Sequence, residues 1–268
     1  TEGFLFTWSE EPYSDTEIKI LDRFKTILDL TIRRYLDLKK AEAQSRESQI
    51  EASLERVRSK AMAMQKSDDL GLAVATIFEE LDKLDLGTFR CGIGIIDKVK
   101  KSVDVWATAI SDGRKTVQVS GDESMDTHPL LIGAFDAWLR QEDFSYLLKG
   151  DDLKKYYEIQ IESNFELPDS QLILSGTDEL KQYYYVAVFQ AGGLFAFRES
   201  EFPDEAKIII KRFADVINFT YTRFNDLKQA EAQAKEAQIE AALERVRSRT
   251  LAMQKSDELA ETAAVVFK

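Results

Sequence analysis

The chain has 268 residues, 44% hydrophobic and 31% charged, with a formal net charge of -12. Such a composition belongs to a globular chain long enough for one or two domains. The acidic excess argues against a nucleic-acid partner, which needs Lys and Arg clustered on one face, and no apolar run approaches the roughly 18 residues of a membrane span. A single cysteine excludes an internal disulfide framework and suits a reducing, cytoplasmic setting. Thr1-Glu2-Gly3 offers neither a basic n-region nor an apolar h-region, so no secretory signal is expected.

An internal repeat organises everything else. Asp37 to Phe78 and Asp226 to Phe267 align without gaps at an offset of 226 − 37 = 189 residues, with 27 identities in 42 positions. A weaker echo precedes it: Gly3 to Trp8 mirrors Gly193 to Phe197, and Phe24 mirrors Phe213. On this reading residues 1–13 are the last strand of a preceding repeat. Residues 14–66 form a linker helix, 67–203 one whole module, 204–255 a second linker helix and 256–268 the start of another module.

The linker reads as one long helix. Ser14-Asp15-Thr16-Glu17 fits a capping box. Phe24, Leu28, Thr31, Tyr35 and Leu38 step by 4, 3, 4, 3, as a coiled-coil seam does. A second seam runs through Ile50, Leu54, Val57, Ala61 and Met64. The small and polar stretch from Ala41 to Gln49 lies between them and interrupts the heptad phase. Some 50 helical residues extend ~75 Å, more than a domain of this size can cover, so a second copy of the chain is the expected partner. The predicted dimerisation residues are Phe24, Leu28, Tyr35, Leu38, Ile50, Leu54, Val57 and Met64. Arg56, Arg58, Arg245 and Arg247 are read as flanking that seam beside Glu51 and Glu55.

In the module, Ser67-Asp68-Asp69 caps a helix from Leu70 to Leu84 that Gly87 ends. Strands are expected over Arg90 to Asp97, Val103 to Ala109 and Lys115 to Val119. Helices follow at Pro129 to Arg140 and Asp151 to Ser163. Further strands are expected at Gln171 to Ser175, Tyr183 to Gln190 and Gly193 to Phe197, the last two joined by a hairpin across Ala191-Gly192. This is an α+β pattern: an antiparallel sheet with flanking helices, between two long coiled-coil helices.

The order of helix, CGIGIID strand, VDVWATA strand, helical middle, YYYVAVFQ–GGLFAF hairpin and terminal helix resembles a GAF domain. The joining helix AEAQAKEAQIEAALERVRSRTLAMQKSDEL is similar to those of multi-module bacterial sensor histidine kinases. The resemblance implies a dimeric, non-catalytic sensory module that binds a small molecule or only packs, and passes strain along its helices. Two departures stand out. Asn164-Phe165-Glu166 only loosely echoes a cyclic-nucleotide motif, and Cys91 does not sit where a bilin-linking cysteine would.

Residues able to carry chemistry are sparse. His128, the single histidine, precedes Pro129 at a helix start and lacks His or Cys neighbours, which leaves a pocket-lining or N-cap role. Trp106, Trp138, Tyr157 and Tyr184 could frame a ligand pocket with His128, or simply fill the core. Cys91 reads as a small buried apolar residue, and Gly192-Gly193 as a turn. With no nucleophile–base set, metal cluster or phosphate loop, neither catalysis nor a cofactor is expected.

Overall fold

A computed structural model describes residues 3–65, 70–111, 114–162 and 180–252. They fall into two compact units, 1–52 and 53–268. In the first, residues 3–14 form no helix or strand, and Phe4 and Trp8 are almost fully exposed. Helix α1, Asp15–Met62, then begins at the expected capping box. Ser14 N–H and Oγ–H both donate to Glu17 Oε2, at 2.8 and 2.7 Å, and Glu17 N–H returns a 3.4 Å bond to Ser14 Oγ. Those bonds hold the Glu17 carboxyl below its usual range.

The second unit carries a six-stranded antiparallel sheet in the order β3-β2-β1-β6-β5-β4. Its strands are β1 (Arg90–Asp97), β2 (Ser102–Ser111), β3 (Arg114–Ser124), β4 (Phe144–Lys149), β5 (Lys181–Phe189) and β6 (Gly192–Arg198). Its helices are α2 (Leu70–Lys83), α3 (Pro129–Arg140), α4 (Gly150–Glu162) and the 49-residue α5 (Asp204–Ala252). The α+β class, the flanked antiparallel sheet and the two long terminal helices are therefore as the sequence predicts. None of the described helices is long and apolar enough to cross a membrane.

Alternation along the strands divides the sheet into two apolar faces. On one, β1 presents Cys91, Ile93 and Ile95 toward α2 and α5, and Cys91 is buried as expected. On the other, Val103, Val105, Tyr184, Val186 and Phe197 face α3 and α4. The last turns of α1 and the residues just after it join this unit: Leu54, Val57, Ala61 and Met64 are each 0–2% exposed. Arg56 pairs at 2.7 Å with Glu80 of α2, and Lys83 approaches the same carboxylate at 2.5 Å. Arg56 thus serves its own module, whereas the sequence reading set it beside Glu51 and Glu55. Burial disfavours the Glu80 charge, but its bonds from Arg56, Lys83 and Ser53 prevail and lower its pKa to about 2.

The connections show where local chemistry decides. The β1–β2 loop is closed by Asp97, whose Oδ1 accepts from the N–H groups of Val99 and Lys100, with Lys101 at φ 53°. Gly121, at φ 93°, marks the irregularity opposite Val105 and Trp106 where β2 and β3 change register.

Three details differ from the expectation. The fourth strand is Phe144–Lys149, whereas Gln171 to Ser175 lies outside the described residues, as do Ser67-Asp68-Asp69 and Asn164 to Glu166. The β5–β6 turn is Gln190-Ala191, because Phe189 pairs with Gly192. Gly192 and Gly193 are strand residues, not a turn. A Cβ on Gly192 would lie 1.8 Å from the Gly94 carbonyl oxygen, so the close approach of β6 to β1 requires glycine.

Candidate functional site

Between the sheet and helices α3 and α4 lies a cavity of about 50 Å³, measured as the space open to the centre of a water molecule. At roughly 10–15 Å³ per water on that measure, it suits a few waters or a small organic molecule. Glycines help to create the space. Gly94 and Gly193 put no side chain on this face of β1 and β6, and both line the cavity. Apolar walls come from Val103 and Val105 of β2, Val186 and Val188 of β5, and Leu130, Leu131 and Ala134 of α3. Trp138 closes one side, its indole Nε1–H donating to the Gln190 carbonyl at 3.2 Å.

The other end is polar, although almost nothing there reaches solvent. Arg90 is 2% exposed and Glu123 6% exposed. The Arg90 guanidinium sits 3.8 Å from the centre of the Phe197 ring, with the Tyr156 and Tyr157 rings at 5.8 and 5.9 Å. Its Nη2 also donates to Tyr156 Oη at 3.3 Å. Such framing favours a planar cation whose hydration is weak. Burial works against the Arg90 charge, but Tyr156, Tyr157 and Glu123 outweigh it and its pKa rises. Glu123 accepts from Gln160 Nε2. Burial pushes its carboxyl up to about 7, in spite of Gln160 and Arg90.

The predicted pocket residues divide three ways. Trp138 and Tyr184 line the cavity. His128 and Tyr157 stand behind its wall. His128 is fully buried and caps α3: its Nδ1 accepts from Leu130 N–H at 3.1 Å, and Pro129 holds the first helical position. Its Nε2 faces the Asp152 carbonyl at 3.1 Å, so the ring is neutral with the proton on Nε2, and burial lowers its pKa. The N-cap role raised from sequence is the one it fills. Tyr157 donates to Gln182 Oε1 at 2.8 Å. Trp106 lies on the opposite face, with Ile93, Ile95 and Ile217. Its position in β2, one residue out of phase with Val103 and Val105, puts it there.

Sequence reasoning missed Arg90 and Glu123. The signal was available. Arg90 shares strand parity with Gly92 and Gly94, so a charged residue enters the same face as two glycines in an otherwise apolar run.

The cavity also has a mechanical neighbour. Val188 lines it, while the Val188 main chain is held at both groups: its N–H donates to Asp143 Oδ1 at 2.9 Å and its carbonyl accepts from Lys211 Nζ at 2.7 Å. Lys211 also pairs with Asp143 at 2.9 Å, and Tyr185 donates to the same carboxylate at 3.0 Å. This network joins β5 to α5.

No protein-family model matches the chain, and no curated protein matches it. Solved structures do resemble it. One is a methyl-accepting chemotaxis protein fragment, 18% identical over 64% of this chain and 98% of that one, with a TM-score of 0.39. Another is a bacteriophytochrome from the photosynthetic bacterium R. palustris, 10% identical over 81% of this chain, with a TM-score of 0.45. The match covers 45% of that bacteriophytochrome, under half its length. A third is the GAF domain of an Acinetobacter phosphoenolpyruvate-protein phosphotransferase, 8% identical over 69% of this chain and 97% of that one, at 0.36. GAF domains, whose layout the sequence resembles, are thus among the similar folds.

Proposed function

We propose that this chain is a non-catalytic sensory and signal-transmitting module of a cytoplasmic bacterial signalling protein. It dimerises through its long helices, paired in parallel, and a small molecule in the cavity beneath α3 and α4 biases how they pack. The carrying observation is the cavity: apolar walls, two buried charged groups, and a lining strand bonded to the exit helix α5. Occupancy there acts on α5 only through the difference in affinity between two helix arrangements.

Support for dimerisation comes from apolar side chains that the single chain leaves bare. Phe24 is 58% exposed, Tyr35 61% and Leu243 63%. Leu28 and Leu38 on α1 are exposed too. Two copies pairing in parallel would cover these stripes along both long helices. By contrast Ile50, Leu54, Val57 and Met64 are already buried in one chain. Their role at a dimer seam would therefore be to support it from below.

A ligand-free dimerisation spacer is the alternative, as is a regulatory part of a larger kinase or cyclase. Thermal unfolding of the chain across a library of small metabolites separates binding from spacing. A subset should raise the melting temperature, and substituting Ala134→Phe to fill the cavity should abolish that rise. If nothing in the library stabilises the protein, the sensory reading fails.

A further inference from the structure

The geometry points to a small organic carboxylate with an apolar body as the molecule this cavity takes, its carboxylate on the Arg90 guanidinium and its body among the valines beneath α3. This class assignment rests on the sensory reading above. A buried guanidinium with a fixed plane recognises a carboxylate through two parallel N–H donors, which a neutral or cationic group cannot exploit. Arg90 lines the cavity from the end of β1, and Phe197 and Tyr156 hold its plane. Apart from Glu123 beside Arg90 and the glycine backbone, the remaining walls are aliphatic or aromatic, so the rest of the ligand is apolar and compact.

Glu123 gives the class a pH signature. The titratable groups around it are Arg90 from β1, Tyr156 from α4 and Tyr184 from β5, with Gln160 of α4 donating to its carboxyl. The hydroxyls of Tyr156 and Tyr184 are pushed further above their ordinary range by burial and stay neutral. Glu123 is then the group there that changes charge near neutrality, at about 7. When ionised it competes with the ligand for Arg90 and repels it. When protonated it leaves the cation to the ligand, so carboxylate binding takes up a proton at Glu123 as pH rises past that value.

The test is calorimetric titration of the full chain with isobutyrate, isovalerate and benzoate, each beside its amide. The acids should bind at least tenfold more tightly than the amides, and their affinity should fall as pH rises from 6 to 8. Glu123→Gln should flatten that pH dependence. Arg90→Met should weaken the acids at least 30-fold while leaving the amides unchanged. Should Arg90→Met fail to fold, Arg90→Lys keeps the charge but not the planar fork and should cost about tenfold. The acid–amide comparison on the unaltered chain needs no variant. Amides that match or exceed the acids overturn the carboxylate class yet leave a binding cavity and the sensory reading intact. Binding by neither overturns the class, and the metabolite library then decides the sensory reading on its own.

Discussion

Leu54 and Leu243 occupy the same place in two copies of one helix, inside the identical stretch LERVRS, and their surroundings could hardly differ more. Leu54 is 1% exposed and Leu243 63%. Val57 is fully buried, whereas its counterpart Val246 is only half-buried. Ile50 is 3% exposed and Ile239 44%. Arg56 reaches Glu80 on α2, while Arg245 turns back to the Ala241 carbonyl of its own helix at 3.3 Å. A 4-3 spacing dictates that a stripe of the helix is apolar; it does not dictate what covers the stripe. In the first copy the end of α1 is tied to α2 through Arg56 and Glu80, and its stripe is covered. The second copy keeps the stripe open among the described residues, as does the region from Phe24 to Leu38.

The largest expected effect comes from cutting the same side chain in both copies. Leu54→Ala should lower the unfolding free energy by about 3 kcal/mol, as a buried leucine does. Leu243→Ala should change it by less than about 0.5 kcal/mol, as an exposed one does. Urea unfolding of the two variants checks this, and equal losses would erase the distinction. Next comes the clip that distinguishes Arg56 from Arg245. Glu80→Gln should cost about 2 kcal/mol at pH 7, because a buried acceptor of two cations is lost. Since folding depresses this pKa to about 2, the contribution is full above the unfolded value near 4.5. It should fade as pH drops from there toward 2. A loss that persisted at pH 2 would contradict the ion-pair account. Arg245→Ala should leave unfolding unchanged. Smaller than the Glu80 effect, Leu28→Glu on the open stripe should weaken self-association by some fivefold, about 1 kcal/mol, read by sedimentation equilibrium, without destabilising the module. If association were untouched, that stripe would not be the contact.

Much of the fold was legible because its signals are periodic. The capping box at Ser14, the alternation of β1 and β2 and the two long helices each declare themselves within a few residues. Strand β4 did not. FSYLLK is a short edge strand without clean alternation, and it is fixed by pairing with Lys181 to Val186 of β5. The turn at Gln190-Ala191 was displaced by one residue, because Gly192 and Gly193 look like turn glycines but serve a close strand contact. The site was half-legible. Trp138 and Tyr184 announce an aromatic pocket, but Trp106 required strand parity to place, and His128 proved to be a helix cap. Arg90 and Glu123 meet only through the β1–β2–β3 meander and the helices above it, a long-range arrangement that spacing along the chain does not encode.

On the proposed reading, the cavity and the exit helix feel one another through β5. Amide hydrogen exchange of the full chain, with and without saturating isovalerate, tests it most directly. Exchange should slow at the Val188 amide and along the α5 turns around Lys211 when the cavity is filled. Protection confined to the cavity lining, with exchange unaltered at Val188 and throughout α5, would contradict it.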